Sequence, residues 1–253
     1  MYRKFILILT FVPFVLMETA LAETPFGADS SITMSNHRRP DHSSWNVLLQ
    51  KYVDTEGNVN YAGLAKDKGK LEAYLQYLNQ NAPSEDWPKN EKLAYYINLY
   101  NAATVKLIVD NYPLESIKDL RNPWDSKWVL IGGKKYSLGN IEHKILRKMN
   151  EPRIHFAINC ASYSCPKLVN KAFLRDTMEE QLEDATIDFI NDSSRNVISE
   201  NKIKLSNIFK WYKGDFTEGG SLIDYLNRYS KTKAGAKAKI SYLTYDWGLN
   251  ESR

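Results

Sequence analysis

Apolar residues recur at intervals of three and four along several stretches of the chain. Trp45, Leu48 and Leu49 show this spacing near the start of one such stretch. Residues at these intervals lie on one face of a helix, which can then pack on a core. The spacing predicts helices over 43–53, 66–80, 90–110, 141–149, 177–190 and 221–229.

Other stretches read as short strands. Gly132 and Gly133 separate two extended runs within 127–138, which is typical of a hairpin. A second hairpin is predicted over 197–206 and a last strand over 239–247. Helices and hairpins intermix without a regular strand–helix–strand rhythm. The pattern therefore predicts an α+β fold, a single globular domain of mixed helices with short antiparallel hairpins.

The segment 152–168, PRIHFAINCASYSCPKL, combines an alternating pattern with reactive side chains. Ile154, Phe156 and Ile158 alternate with polar or small residues, which predicts a buried strand. On such a strand His155 and Asn159 would share one face. The polar residues that follow predict a tight loop carrying Cys160 and Cys165, the two cysteines of the chain.

The beginning of the chain is typical of an export signal. Arg3 and Lys4 precede the apolar run 5–17, and small residues lead up to a cleavage position after Ala22. We expect residues 1–22 to be a signal peptide, residues 23–42 a flexible leader and residues 43–250 the folded domain. We expect the mature protein to be exported to the periplasm, with no stable membrane span after cleavage.

Charge argues against some classes of partner. The net charge of +4 falls to +3 without residues 1–22, and the most basic stretch, 231–239, has no interleaved aromatic residues. We therefore expect no nucleic-acid binding. No glycine-rich phosphate loop is present, and we expect no cofactor. A small-molecule or peptide ligand of unknown identity is the expected partner.

Candidate site residues cluster around the cysteine loop. Cys160 or Cys165 is a possible thiol nucleophile, which a nearby imidazole can convert to the thiolate. The remaining candidates are His143 and His155 as bases, Glu142 beside His143, and the amides Asn98, Asn101 and Asn159. Two asparagines three apart on the helix 90–110 need hydrogen-bond partners. We interpret them as supports for a neighbouring loop, with direct catalysis as the alternative.

The ordered blocks of the chain resemble those of the DUF547 family, a domain family of unknown function. They span roughly residues 45–250 and read WNVLLQKYV, GNVNY, YYINLYNAATV, YSLGNIEHKILR, PRIHFAINCASYSCPKL, SNIFKWYKGDF and YLTYDWGLN. By analogy, a distant similarity to papain-like and transglutaminase-like folds follows. In those enzymes the cysteine precedes the histidine, whereas here both His143 and His155 precede Cys160.

Three hypotheses remain open for the cysteine loop. The first is a thiol-dependent hydrolase or acyl-transfer enzyme with a Cys/His/Asn site. The second is a non-catalytic, envelope-associated binding module in which Cys160 and Cys165 form a structural disulfide, because exported chains with paired cysteines usually oxidise them. The third and least favoured is a metal site formed by both cysteines with His143 and His155.

Overall fold

The computed structural model of the protein describes residues 39–252. The predicted signal peptide and most of the predicted leader lie outside the described residues. The helices are α1 (Ser43–Tyr52), α2 (Tyr61–Lys66), α3 (Lys68–Gln80), α4 (Lys89–Asn111), α5 (Leu138–Asn140), α6 (Ile154–Ala157), α7 (Met178–Asn191), α8 (Ile208–Trp211), α9 (Lys213–Thr217) and α10 (Leu222–Tyr229). The strands are β1 (Val129–Ile131), β2 (Lys134–Tyr136), β3 (Val197–Ile198), β4 (Lys202–Leu205) and β5 (Lys239–Tyr242). The α+β prediction is confirmed.

The first half of the fold is built on α4. Leu93, Ile97 and Ile108 of this helix are fully buried, as their helical spacing predicts. Helices α1, α2 and α3 pack on the same hydrophobic cluster, where Trp45 stacks on Tyr74 with ring centroids 5.9 Å apart. We call this group of residues the first cluster.

A second hydrophobic cluster lies under the three-stranded sheet. Strand β4 pairs antiparallel with β3, as the predicted hairpin requires, and parallel with β5. Helices α8, α9 and α10 connect β4 to β5 and contribute to the second cluster, which is rich in phenylalanine. Phe156, Phe209 and Phe216 lie in mutual ring contact there, at centroid distances of 5.0–5.7 Å.

The hairpin predicted around Gly132 and Gly133 is confirmed. Strands β1 and β2 pair antiparallel, with Ile131 opposite Lys134. Both glycines have positive φ, 56° and 78°, which a two-residue turn between strands requires.

The buried strand predicted over residues 153–160, from the alternation of Ile154, Phe156 and Ile158, is wrong. A turn begins at Pro152, and Ile154–Ala157 form the short helix α6 before the chain extends at Ile158. The alternation misled because this segment lies between the two clusters and is buried on every side. Phe156 packs in the second cluster, whereas Ile154 and Ala157 pack in the first.

The helix predicted over 141–149 begins earlier and is irregular. Ser137 caps it, and α5 continues into one π-helical turn, Ile141–Ile145, and a 3₁₀ turn, Leu146–Met149. Wide helical turns of this kind frequently occur at functional sites. This one carries Glu142 and His143.

None of the helices in residues 39–252 is both long enough and apolar enough to cross a membrane.

Candidate functional site

A cavity of about 330 Å³ lies between the two clusters, and most of its wall is aromatic. We call it the aromatic cavity. Its lining combines side chains from the π-helical turn, α6, the cysteine loop, α8 and the segment after β5. The lining residues are Tyr100, Trp124, Glu142, His143, His155, Ile158, Cys160, Cys165, Ile208, Trp211, Tyr212, Tyr245 and Trp247.

Cys160 presents its sulfur to this cavity and is partly exposed. Its Sγ lies 3.0 Å from the Ser162 hydroxyl and 3.4 Å from the Tyr245 hydroxyl, and these hydroxyls are themselves hydrogen-bonded at 3.0 Å. Hydroxyl donors stabilise a thiolate more than a thiol. The sulfur therefore sits at one corner of a triangle of polar groups suited to holding negative charge.

The two thiols differ in proton affinity. Contact with the Cys165 thiol lowers the pKa of Cys160, and hydrogen bonds from Ser162 and Tyr245 add to this effect against the opposing effect of burial. Burial raises the pKa of Cys165 well above its ordinary value. Tyr245 stays a hydroxyl donor, because burial and the two neighbouring sulfurs raise its pKa. Cys160 is accordingly the reactive member of the pair.

Cys165 has a supporting position behind Cys160. Its Sγ accepts the backbone N–H of Cys160 at 3.0 Å, and Arg195 donates to the Cys165 carbonyl at 3.1 Å. The disulfide that the sequence favours is not present in this structure, where both cysteines are free.

His155 is held by a carboxylate that sequence reasoning missed. Its Nε2 lies 2.8 Å from Asp215 Oδ2, and Arg147 donates to both oxygens of the same carboxylate at 2.7 Å. The Arg147 guanidinium, with His155 second, holds the pKa of Asp215 well below its usual range. The imidazole also stacks on Tyr212, with ring centroids 3.9 Å apart. Its tautomer and orientation are thereby fixed.

The other ring nitrogen of His155 remains available. Nδ1 makes no hydrogen bond to any residue within 39–252, while the ring lines the same cavity as Cys160. A strand would direct His155 and Cys160 to opposite faces, whereas residues 154–157 are helical and both side chains line this cavity. No hydrogen bond joins the two side chains directly, so an intervening reactant or water is needed to connect them.

Glu142 forms a second polar centre in the cavity. It is buried, and its two oxygens accept hydrogen bonds from Tyr212 at 2.5 Å and from Tyr100 at 3.2 Å. His143 lies beside it, with Nδ1 3.7 Å from Glu142 Oε1, but half of the His143 side chain is exposed. Of the two histidines, His155 is the better-positioned base.

The three predicted amides bond to backbone groups. Asn101 donates to the Ala157 carbonyl at 2.9 Å and accepts the Asn159 N–H at 2.8 Å. Asn98 does the same for the carbonyl and N–H of Phe173, at 2.7 and 3.0 Å. Asn159 spans the cysteine loop, donating to the Pro166 carbonyl and accepting the Ala161 N–H. For Asn98 and Asn101 these are the contacts that the support interpretation predicts.

Asp215, Tyr212 and Tyr245 are the functional candidates that the sequence reasoning did not single out. They lie in the blocks SNIFKWYKGDF and YLTYDWGLN, two of the blocks that carry the family resemblance. That resemblance is the signal in the sequence that points to these residues. Among the described residues, no three His, Cys, Asp or Glu side chains are grouped so as to hold a metal ion.

One protein-family model matches part of the chain. Residues 84–190 match the family described as "Protein of unknown function, DUF547". The matched segment contains every site residue proposed from the sequence, whereas Asp215 and Tyr245 lie beyond it. No curated protein and no solved structure matches the chain significantly.

Proposed function

We propose that this chain, whose residues 84–190 belong to the DUF547 family, is a thiol-dependent hydrolase or acyl-transfer enzyme with Cys160 as nucleophile. The observation that carries the proposal is the hydroxyl triangle of Cys160, Ser162 and Tyr245, which opens into a cavity that also holds a carboxylate-bound histidine. An activated thiol and a carboxylate-oriented base are the two parts that acyl transfer requires.

In this scheme the Cys160 thiolate attacks the carbonyl carbon of an ester, thioester or amide. A sulfur–carbon bond forms, and electrons move onto the carbonyl oxygen, to which the Tyr245 hydroxyl donates. When the tetrahedral intermediate collapses, the bond to the leaving group breaks and an acyl-thioester on Cys160 remains. Water or another acceptor then attacks the thioester carbon and restores the thiolate.

His155 handles the protons in both halves of the reaction. Nδ1 is the nitrogen that exchanges these protons, because Nε2 is bonded to Asp215. As an imidazolium it gives a proton to the departing group, and as the neutral base it takes one from the incoming water. Asp215 stabilises the imidazolium and itself keeps its negative charge because Arg147 lies against it.

A second candidate function is the non-catalytic binding module. It is favoured by one specific observation, the lack of a direct hydrogen bond between His155 and Cys160 among the described residues, together with the aromatic wall. The sequence hypothesis of a binding module includes an oxidised Cys160–Cys165 pair. Alkylation of the mature protein before and after reduction tests the oxidised form of this module, since only free thiols label without reductant.

The direct test of the enzyme proposal is to trap the acyl-thioester. The full-length mature protein is mixed with p-nitrophenyl esters and acyl thioesters of increasing chain length, quenched in acid and analysed by intact mass and peptide mapping. We expect an added acyl group on Cys160, lost on standing with water and not formed in Cys160→Ala. Cys165→Ala, the matched thiol variant, should still acylate.

Two outcomes would overturn this function. One is acylation of Cys165 instead of Cys160, and the other is unchanged ester turnover in Cys160→Ala. An acyl group that never leaves Cys160 would show that the thiol is reactive but that the protein does not turn over, which contradicts a catalytic role.

We further propose that the protein works outside the cytoplasm, on the strength of the signal-like residues 1–22. Cell fractionation followed by N-terminal sequencing tests this proposal. A mature protein beginning at Glu23 in the periplasmic fraction is the expected result, and an uncleaved cytoplasmic protein would contradict it.

A further inference from the structure

The wall of the aromatic cavity is one continuous surface of rings. Trp247 contacts Tyr245, Trp124 and Trp211, with centroid distances of 4.6, 5.7 and 5.8 Å respectively. Trp211 is 46% exposed, so this wall extends to the mouth of the cavity. Aromatic faces carry partial negative charge and attract cations.

Apart from the two histidines, of which His155 is paired with Asp215, the charged lining of the cavity is negative, like the faces of the rings. Glu142 is the carboxylate among the lining residues, and no lysine or arginine of the described chain lines the cavity. Its two tyrosine partners use only part of its capacity, because a carboxylate offers about four acceptor positions. An ionised Cys160 adds a second negative group to the lining of the same cavity.

Neighbouring cations already use these rings from outside the cavity. The Lys118 ammonium lies 5.0 Å from the Trp247 ring centroid, and the Arg147 guanidinium lies 5.3 Å from that of Tyr212. Arg147 is neutralised by Asp215, and neither cation lines the cavity. Both rings therefore already contact a cation. Tyr212 also stacks on His155 and Trp247 on Trp211, so the ring of this wall that is exposed to a ligand is that of Trp211.

We infer that the ligand of this cavity carries a cationic ammonium group, which lies against the Trp211–Trp247 wall and is balanced by Glu142. The acyl bond of the same molecule then lies over Cys160. The statement about the reaction rests on the proposed function, whereas the statement about binding rests on the cavity alone. Anionic substrates are disfavoured, because both Glu142 and the thiolate would repel them.

A pair of isosteric esters tests the inference. A choline ester and the 3,3-dimethylbutyl ester of the same acid have nearly the same shape and differ by one positive charge. We expect the choline ester to acylate Cys160 at least about tenfold faster at subsaturating concentration, the range that a desolvated cation–π contact and a nearby carboxylate provide. Binding of tetramethylammonium alone, measured by calorimetry, is the readout that does not depend on activity.

Variants connect the preference to the wall and the carboxylate. Glu142→Gln keeps the size of the side chain and should remove most of the preference for the choline ester. Trp211→Leu, at a position exposed enough to tolerate change, should weaken tetramethylammonium binding about fivefold or more. Tyr163→Leu is the matched control, because Tyr163 is exposed and lies outside the cavity, and it should change neither value.

The outcomes separate this inference from the enzyme proposal. Equal acylation by the two esters, with no tetramethylammonium binding, overturns the cationic ligand and leaves the thiol enzyme in place. Tetramethylammonium binding that depends on Trp211, without acylation by either ester, supports the cationic ligand and contradicts the enzyme. If Glu142→Gln does not fold, the Trp211→Leu result decides.

Discussion

Two buried polar regions lie a short distance apart in this fold and are built differently. On α4, Asn98 and Asn101 each bond one backbone carbonyl and one backbone N–H of a neighbouring loop. In the aromatic cavity, by contrast, Glu142 and His155 bond to the side chains of tyrosines and of Asp215. Amides that satisfy backbone groups fix the path of a loop. Side chains that bond one another set proton affinities and leave atoms facing the cavity.

This contrast explains why the amides are supports although they are as buried as the cavity floor. Asn101 has both ends of its side-chain amide engaged within the described residues, so little remains for a ligand. His155 has one nitrogen engaged and one available. The useful distinction between support and chemistry is therefore the kind of partner, not the depth of burial.

Asp215→Asn should produce the largest effect, and it tests the side-chain pairs of the aromatic cavity. Asparagine keeps the shape but cannot stabilise a positively charged His155, so kcat/KM on an ester accepted by the wild type should fall by about 10²–10⁴-fold. Asp184→Asn, an exposed aspartate elsewhere, is the control. An unchanged rate in Asp215→Asn would remove the His155–Asp215 pair from the mechanism.

Asn101→Ala and Asn98→Ala test whether these amides support the neighbouring loops. Each leaves one buried carbonyl and one buried N–H without a partner, which should lower the free energy of unfolding by about 2–4 kcal/mol in urea denaturation. Of these two asparagines, Asn101 is the one that holds the cysteine loop, through the N–H of Asn159. We therefore expect Asn101→Ala to alter the alkylation rate of Cys160 and Asn98→Ala to leave it unchanged. Equal effects of both variants on alkylation would contradict the assignment of separate loops.

Acid denaturation distinguishes the carboxylate in the cavity from the asparagines of α4, because only the carboxylate titrates. The pKa of Asp215 in the folded protein is depressed, chiefly by Arg147, so its contribution to stability is present above the unfolded value of about 3.9 and is lost as pH falls below it. The urea midpoint should therefore decrease less steeply below about pH 4 in Asp215→Asn than in the wild type. Asn98→Ala has no titrating group to lose and should keep the wild-type slope. Parallel curves for Asp215→Asn and wild type would show that this carboxylate does not contribute.

Tyr245→Phe should give the smallest effect. Thiolate is the form that alkylates, and the lowered pKa of Cys160 predicts a rate midpoint below the usual value of about 8.5. Removing the Tyr245 hydroxyl deletes one of several stabilising contacts, so the midpoint should rise by less than about one pH unit. Tyr242→Phe, outside the cavity, is the control. A downward shift in Tyr245→Phe would mean that the hydroxyl accepts from the thiol instead of stabilising the thiolate.

The sequence was sufficient for elements whose pattern arises locally. Helices α1 and α10 and both hairpins follow from periodicity and turn residues, because part of each is buried and part is exposed. Helix α4 is buried on nearly every side, and its length of 23 residues is what distinguishes it from a strand. Residues 154–159 gave the wrong element because both faces are buried, in two different clusters. Periodicity reports a difference between faces, and here none existed.

For the site, the sequence identified the residue types but not the partnerships. Cys160, Glu142 and His155 were named from one region, yet their respective partners Tyr245, Tyr212 and Asp215 are 60 to 85 positions away in the chain. Side-chain contacts at such separations depend on tertiary packing, which neither spacing nor composition encodes. The choice of His155 over His143 likewise required the burial of the one and the exposure of the other.

The segment after β5 has a consequence for how the protein is made. Residues 245–251 complete the cavity wall and also bridge to Val59, Ser116 and Ser162, which come from three earlier parts of the chain. Contacts between such distant positions form late, after the local elements. During synthesis the thiol therefore remains without its aromatic wall until nearly the whole domain has emerged. A product that stops before Tyr245 would carry the nucleophile and its histidine but no cavity in which to use them.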